Sequence, residues 1–96
     1  MFQVTWEFEV RRDRLAEFAA AYGPDGGWVR LFRADAGYLG TDVKQISPTR
    51  WLTVDRWNSR ASYEAFRAAR ANEYAALDEH CAALTTSERK LDERDV

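Results

Sequence analysis

Chemistry in this chain is concentrated on one short run, Arg50–Trp57, where Trp51, Thr53, Asp55 and Trp57 fall on one face of a strand and Leu52, Val54 and Arg56 on the other. If the first face lies beneath helices, Asp55 is a carboxylate buried among aromatic rings. Burial disfavours its charged form, raises its pKa and poises it as a general base near neutral pH. An arginine partner, Arg70 or another, would instead lower the pKa and leave Asp55 a structural role. Arg70 falls between Phe66 and Tyr74 in a stripe spaced by three and four. Facing a pocket, its guanidinium would grip an anionic ligand oxygen; at a helix break it would reach out to solvent. Trp57 and Tyr63 flank a strand-to-helix junction, where rings form an apolar slot for a flat ligand and the indole N–H and phenol O–H orient it. Trp6, Trp28, Phe32, Tyr38, Trp51 and Phe66 are further candidate walls of that slot, or plain core packing, because a small domain needs aromatics to fill its interior. Thr53 could hydrogen-bond a ring oxygen. Such a group of residues would bind a flat ring, remove a proton from it and hold the resulting anion.

Other chemistries find no support. His80, the only histidine, is the natural proton carrier by type. Its neighbours Asp78, Glu79 and Cys81 lack metal-ligand spacing, and it reads as a residue of the solvated face. Cys81 falls in the helical stripe and reads as a small buried hydrophobe. A single cysteine excludes an internal disulfide framework and any multi-cysteine metal site. Hydrolase triads, phosphate-binding loops and dinucleotide-binding glycines are absent, and no metal site is expected.

The elements that must position these residues follow from periodicity. Phe2, Val4, Trp6, Phe8 and Val10 alternate with polar residues as a half-buried strand does. Leu15, Phe18, Ala19 and Tyr22 then repeat as one face of a helix, stopped by Gly23-Pro24-Asp25-Gly26-Gly27. A short second helix carries Trp28, Leu31 and Phe32 and is expected to end at Gly37. Residues 38–46 and 50–58 read as a hairpin around Ser47-Pro48-Thr49. Asn58 or Ser59 caps a helix from about Arg60 to Leu84 with stripe Tyr63, Phe66, Arg70, Tyr74, Leu77, Cys81 and Leu84, and a break is expected near Arg70 to Asn72. The charged tail from about residue 87 is a weak fourth strand or frayed. The order is that of an α+β, ferredoxin-like split β-α-β unit, an antiparallel sheet with helices on one face. Leu52 and Val54 remain on the other face, which a second copy would cover in a symmetric dimer.

The chain's 96 residues make a single domain over 1–96. A net charge of −2 supplies no basic field for nucleic acid. No apolar run is long enough to span a bilayer, and Glu7 and Glu9 interrupt the first apolar segment, so no signal peptide or membrane association is read and a cytoplasmic protein is expected.

Three stretches resemble the antibiotic biosynthesis monooxygenase family: Gly37-Tyr38-Leu39-Gly40-Thr41; Arg50 to Trp57 with Ser59; and Glu73-Tyr74, Leu77-Asp78 and Cys81. The spacing of Tyr22-Gly23-Pro24, Gly27-Trp28 and Leu31-Phe32 resembles one branch of it. The resemblance covers about residues 1–88. It implies a dimeric α+β barrel with a pocket between helices and sheet in each protomer. Members include cofactor-independent monooxygenases of anthrones and phenolic polyketides, quinol oxygenases and haem-degrading enzymes. Trp57 and Tyr63 match a Trp and Tyr of the anthrone-oxidising members, whose Asn four positions before the Trp is here Thr53. Tyr74 and Asp78 match the aromatic and the iron-binding His of haem-degrading members. With Asp in place of that His, haem is not expected, and both positions are carried as ligand-binding ones. The resemblance implies a cofactor-free monooxygenase of an electron-rich aromatic, with molecular oxygen as co-substrate, and a homodimer; Trp57 and Tyr63, with Arg70 and Asp55 from the residue reading above, are assigned the catalytic roles. A binding protein for a hydrophobic small molecule, or a non-oxidative cyclase or isomerase, are the alternatives.

Overall fold

The computed structural model describes all residues, Met1–Val96. Strand β1 (Phe2–Val10) is followed by a 3-10 turn at Arg12–Arg14, helix α1 (Leu15–Tyr22) and helix α2 (Gly27–Phe32). Strands β2 (Tyr38–Gln45) and β3 (Arg50–Trp57) form the expected hairpin; helices α3 (Arg60–Ala69) and α4 (Ala71–Cys81), a 3-10 turn at Ala82–Leu84 and strand β4 (Thr85–Asp95) complete the chain. The sheet order is β2-β3-β1-β4 with every neighbouring pair antiparallel. This is the split β-α-β arrangement.

The alternating apolar residues of β1 place Phe2, Val4, Phe8 and Val10 in the core under the helices. Register brings Trp57 beside Phe2, Asp55 beside Val4, Thr53 beside Trp6 and Trp51 beside Phe8, so the Asp55 face of β3 is the helix-covered one. Phe18 and Tyr22 of α1, Trp28 and Phe32 of α2, and Tyr63 and Phe66 of α3 close over it. Burial of these side chains against each other stabilises the fold by roughly 1.5–3 kcal/mol each before chain entropy is counted.

One boundary read from the sequence shifts, while the expected helix break, the Ser59 cap and the fourth strand are present. The short helix α2 ends at Phe32, not Gly37, and the chain then turns with Asp35 accepting from the Gly37 N–H (2.8 Å). Gly37 is needed for close approach instead: a Cβ there would lie 2.6 Å from the Ser62 Cβ. The helical stretch breaks at Arg70 (φ −114, ψ 26), while Ser59 caps α3 by accepting from the Ser62 N–H at 3.1 Å. The tail is a full strand from Thr85, paired to β1 along its length with two register shifts.

One local irregularity shapes the site. Leu39 is an extra residue in β2, because Tyr38 pairs with Trp57 while Gly40 already pairs with Arg56. The bulge is accommodated by Gly40 at φ +143, a backbone state other residues rarely adopt, and it leaves Leu39 exposed. Residues three apart in a regular strand point to opposite faces. The bulge cancels that alternation and puts Tyr38 and Thr41 on the same side.

Candidate functional site

Between the helices and the sheet lies a narrow cavity of about 30 Å³. Trp6 and Phe8 of β1 form part of its floor, Tyr22 and Tyr74 stand on its helical side, and Trp28, Val29 and Phe32 of α2 roof it. Its polar edge is made by Thr41, Thr53 and Asp55, with Glu88 of the edge strand β4 on the far side of β1. The space holds water but no aromatic ring, so a flat ligand enters only if side chains move. Thr41 and Val29 also line an open surface depression of about 360 Å³, so these two residues separate the cavity from solvent on that side.

Asp55 is the chemically distinctive group. It is 7% exposed, and its Oδ1 accepts a hydrogen bond from the Thr41 hydroxyl at 2.8 Å. The Thr41 Oγ1 in turn lies 2.5 Å from the Tyr38 hydroxyl. Burial pushes the Asp55 carboxyl up to about 6, against the opposing pull of the Thr41 hydrogen bond. Neither Arg70 nor any other arginine is paired with it, so no cation opposes the upward shift.

The other titratable groups of the cavity are shifted upward as well. Burial pushes the Tyr22 and Tyr74 phenols well above their ordinary range. Glu88 is exposed as a residue, yet partial desolvation and the nearby Asp78 charge raise its carboxyl. The Trp28 indole N–H is buried without a hydrogen-bond partner. The Tyr22 hydroxyl and Cys81 sulfur are close enough to feel it, but neither is aligned as an acceptor.

The sequence candidates divide sharply. Asp55, Thr53, Trp6, Trp28, Phe32 and Tyr74 meet at the cavity. Trp57 does not: it is fully buried and packed by the rings of Phe32, Tyr38, Tyr63 and Phe66 at centroid distances of 4.9–5.7 Å. Tyr63 and Phe66 belong to that same packed core, and Trp51 packs against Phe18. Tyr38 reaches the cavity only through Thr41. Arg70 stands at the exposed helix break, 3.4 Å from Glu73, and Asp78 is exposed on α4. Arg67 holds the inward position instead. It stacks on the Tyr74 ring at 3.9 Å and donates to the Tyr63 hydroxyl at 2.9 Å. Residues that sequence reasoning missed are Phe8, Tyr22, Val29, Thr41 and Glu88. The alternation of β1 and the helical stripe of α1 pointed to the first and second, whereas Thr41 and Glu88 lie on strands without clear alternation.

No family model matches the chain, and no curated protein matches it. Solved structures do. A protein provisionally named an antibiotic biosynthesis monooxygenase from Deinococcus radiodurans superposes with TM-score 0.76 at 13% identity, over 100% of this chain and 92% of that one. A second so named, from Nitrosomonas europaea, gives 0.72 at 14% identity over 100% and 98%. SnoaB, a cofactor-independent oxygenase from Streptomyces nogalater, gives 0.66 at 12% identity over 99% and 94%. The chain thus has the fold of the antibiotic biosynthesis monooxygenases. At these identities the likeness is one of fold, and the chemistry has to be argued from the site.

Proposed function

We propose that the protein is a cofactor-independent monooxygenase of an electron-rich aromatic, a phenol, anthrone or quinol. The observation that carries this reading is Asp55: a buried carboxylate, raised to about 6 and free of any cationic partner, on the polar edge of an aromatic cavity. Such a group accepts a proton readily near neutral pH. The fold shared with SnoaB supports the choice of oxygen as co-substrate.

In an anthrone-like substrate, Asp55 takes a proton from the ring CH₂ and the C–H electron pair stays on the substrate as a delocalised anion. The anion gives one electron to O₂, and the radical pair combines into a carbon-bound peroxide anion, which takes the proton back from Asp55. Loss of water leaves a carbonyl, so CH₂ and O₂ become C=O and H₂O. The chain's task is to bind, orient and deprotonate. Trp6, Phe32 and Trp28 would sandwich the ring, and the unpartnered Trp28 N–H and the Thr53 hydroxyl are donors for its developing oxyanion. Entry displaces Val29 and Trp28, since a space of about 30 Å³ excludes a ring. A second copy would cover the outer sheet face, where Leu52 and Val54 are only half-buried, and sedimentation at micromolar concentration reads that directly.

Oxygen uptake with a panel of anthrones and quinols, in chelator-treated protein, tests the reaction. Asp55→Asn is expected to lower kcat by about 10²–10⁴-fold, the usual worth of a general base. Product formed without oxygen would replace the reading with a non-oxidative cyclase or isomerase. Tight binding without turnover would leave a ligand carrier.

A further inference from the structure

A base buried to this depth exchanges protons with solvent only through groups that reach it, and its carboxyl has one hydrogen-bond partner, Thr41. We infer that Thr41 and Tyr38 form a proton relay that connects Asp55 to the open depression outside the cavity. The contacts are continuous. Asp55 Oδ1 is 2.8 Å from Thr41 Oγ1, and Thr41 Oγ1 is 2.5 Å from the Tyr38 hydroxyl. Tyr38 and Thr41 both line the outer depression of about 360 Å³, beside Arg33, while Thr41 and Asp55 line the narrow inner cavity. Thr41 is therefore the one side chain that faces both spaces and bonds to the base.

The geometry is made by the bulge. Without the extra Leu39, Tyr38 and Thr41 would point to opposite faces of β2, and the chain of hydroxyls would not exist. Gly40 at φ +143 makes the bulge possible. A device that places an aromatic hydroxyl on a threonine, and the threonine on a buried carboxylate, has no packing requirement that an apolar trio could not meet.

Proton balance is simple. With Asp55 ionised, Tyr38 donates to Thr41 and Thr41 donates to Asp55. After Asp55 has taken a proton, its O–H donates to Thr41 Oγ1, the Thr41 proton passes to the Tyr38 oxygen, and the Tyr38 proton leaves to water. One proton enters at Asp55, one leaves at Tyr38, and both hydroxyls end with the proton count they began with. The charges around the exit are Arg33 and Asp42, both of which Tyr38 feels, along with Asp55 itself. The relay takes its purpose from the proposed reaction, where it restores Asp55 to its ionised form between turnovers, but it is a property of the resting protein and can be measured without substrate.

The test is an infrared-detected pH jump across about pH 6, following the protonated-carboxyl stretch that Asp55→Asn abolishes. In Thr41→Val and Tyr38→Phe the protonation and deprotonation of Asp55 should slow by about tenfold or more, and Thr41→Ser should restore the rate. Thr41→Val should also raise the Asp55 pKa, because it removes the hydrogen bond that favours the charged form. Tyr38 makes no contact with Asp55, so Tyr38→Phe removes the outer hydroxyl while leaving the Thr41–Asp55 hydrogen bond in place, which an unchanged Asp55 pKa verifies. Equal exchange rates in wild type and Tyr38→Phe would overturn the relay and route the proton through the cavity mouth. Circular dichroism of each variant identifies any that fail to fold. Failure of the oxygenase reading would leave these rates unaltered, so the two are distinguishable.

Discussion

Trp57 and Asp55 stand two residues apart on the same face of β3, under the same helices, and occupy opposite physical environments. Around Trp57 the space is filled by four aromatic rings, and the side chain is 0% exposed. Around Asp55 the packing stops short: Thr41 and Thr53 replace rings, a cavity opens, and the carboxyl has one hydrogen-bond donor. One end of the sheet face contributes stability, while the other gives up some stability to hold a carboxylate away from bulk solvent. That division lets a chain of this size hold both a packed core and a cavity with a buried carboxylate at its edge.

The sharpest way to break this contrast is to truncate the packed end. Trp57→Ala should destabilise the fold by about 3–5 kcal/mol, read as a fall in the urea midpoint, because the surrounding rings cannot collapse into the void. Trp57→Phe should cost far less and leave ligand binding intact: the Trp57 N–H has no partner to lose. A large loss of binding in Trp57→Phe with unchanged stability would place Trp57 in the site and erase the distinction.

The next largest effect has the opposite sign. The folded-state pKa of Asp55, about 6, lies above that of an unfolded aspartate at about 3.9, so between those values the folded state binds more protons. Stability therefore falls as pH rises from about 4 to about 6, and the cost is fully present above that window. Asp55→Asn removes it. The variant should be more stable than the parent by up to about 3 kcal/mol at pH 7 and no more stable below pH 4, while losing its deprotonating ability. Unfolding free energies measured at both pH values check this, and a variant less stable at pH 7 would mean that the carboxylate is held by a charge partner after all.

How far the sequence revealed this depends on what periodicity encodes. Alternation in β1 and parity in β3 told correctly which face each side chain takes, since backbone geometry fixes that locally. They carried no depth: Trp57 and Asp55 share a parity, and only the three-dimensional positions of α2 and α3 decide which is sealed and which borders a cavity. Thr41 was invisible because a bulge shifts the alternation of β2, and Glu88 because β4 is polar on both faces. The break at Arg70 was legible from helix length, yet its consequence was not drawn. A stripe spaced by four from Phe66 continues onto Arg70 only while the helix is continuous, and at the break that phase is lost.

The two arginines give the finest test of that last point. Arg67 covers the Tyr74 ring at 3.9 Å and donates to Tyr63, whereas Arg70 has only a 3.4 Å contact to Glu73 with about half of each side chain in water. A stacked guanidinium with a hydrogen bond contributes about 1–2 kcal/mol, and an exposed ion pair three residues apart contributes close to nothing. Arg67→Ala should therefore lower stability by about that amount and loosen Tyr74 at the cavity wall, while Arg70→Ala should stay within about 0.5 kcal/mol of the parent in both stability and ligand affinity. Arg67→Lys separates the two contributions of Arg67: an ammonium can still reach the Tyr63 oxygen but lacks the flat face that covers Tyr74. If Lys restores stability without restoring affinity, the stack positions the ring that a ligand meets. If Arg70→Ala proves the more damaging, the helix stripe runs unbroken through position 70 in solution and the anion-binding reading of Arg70 returns.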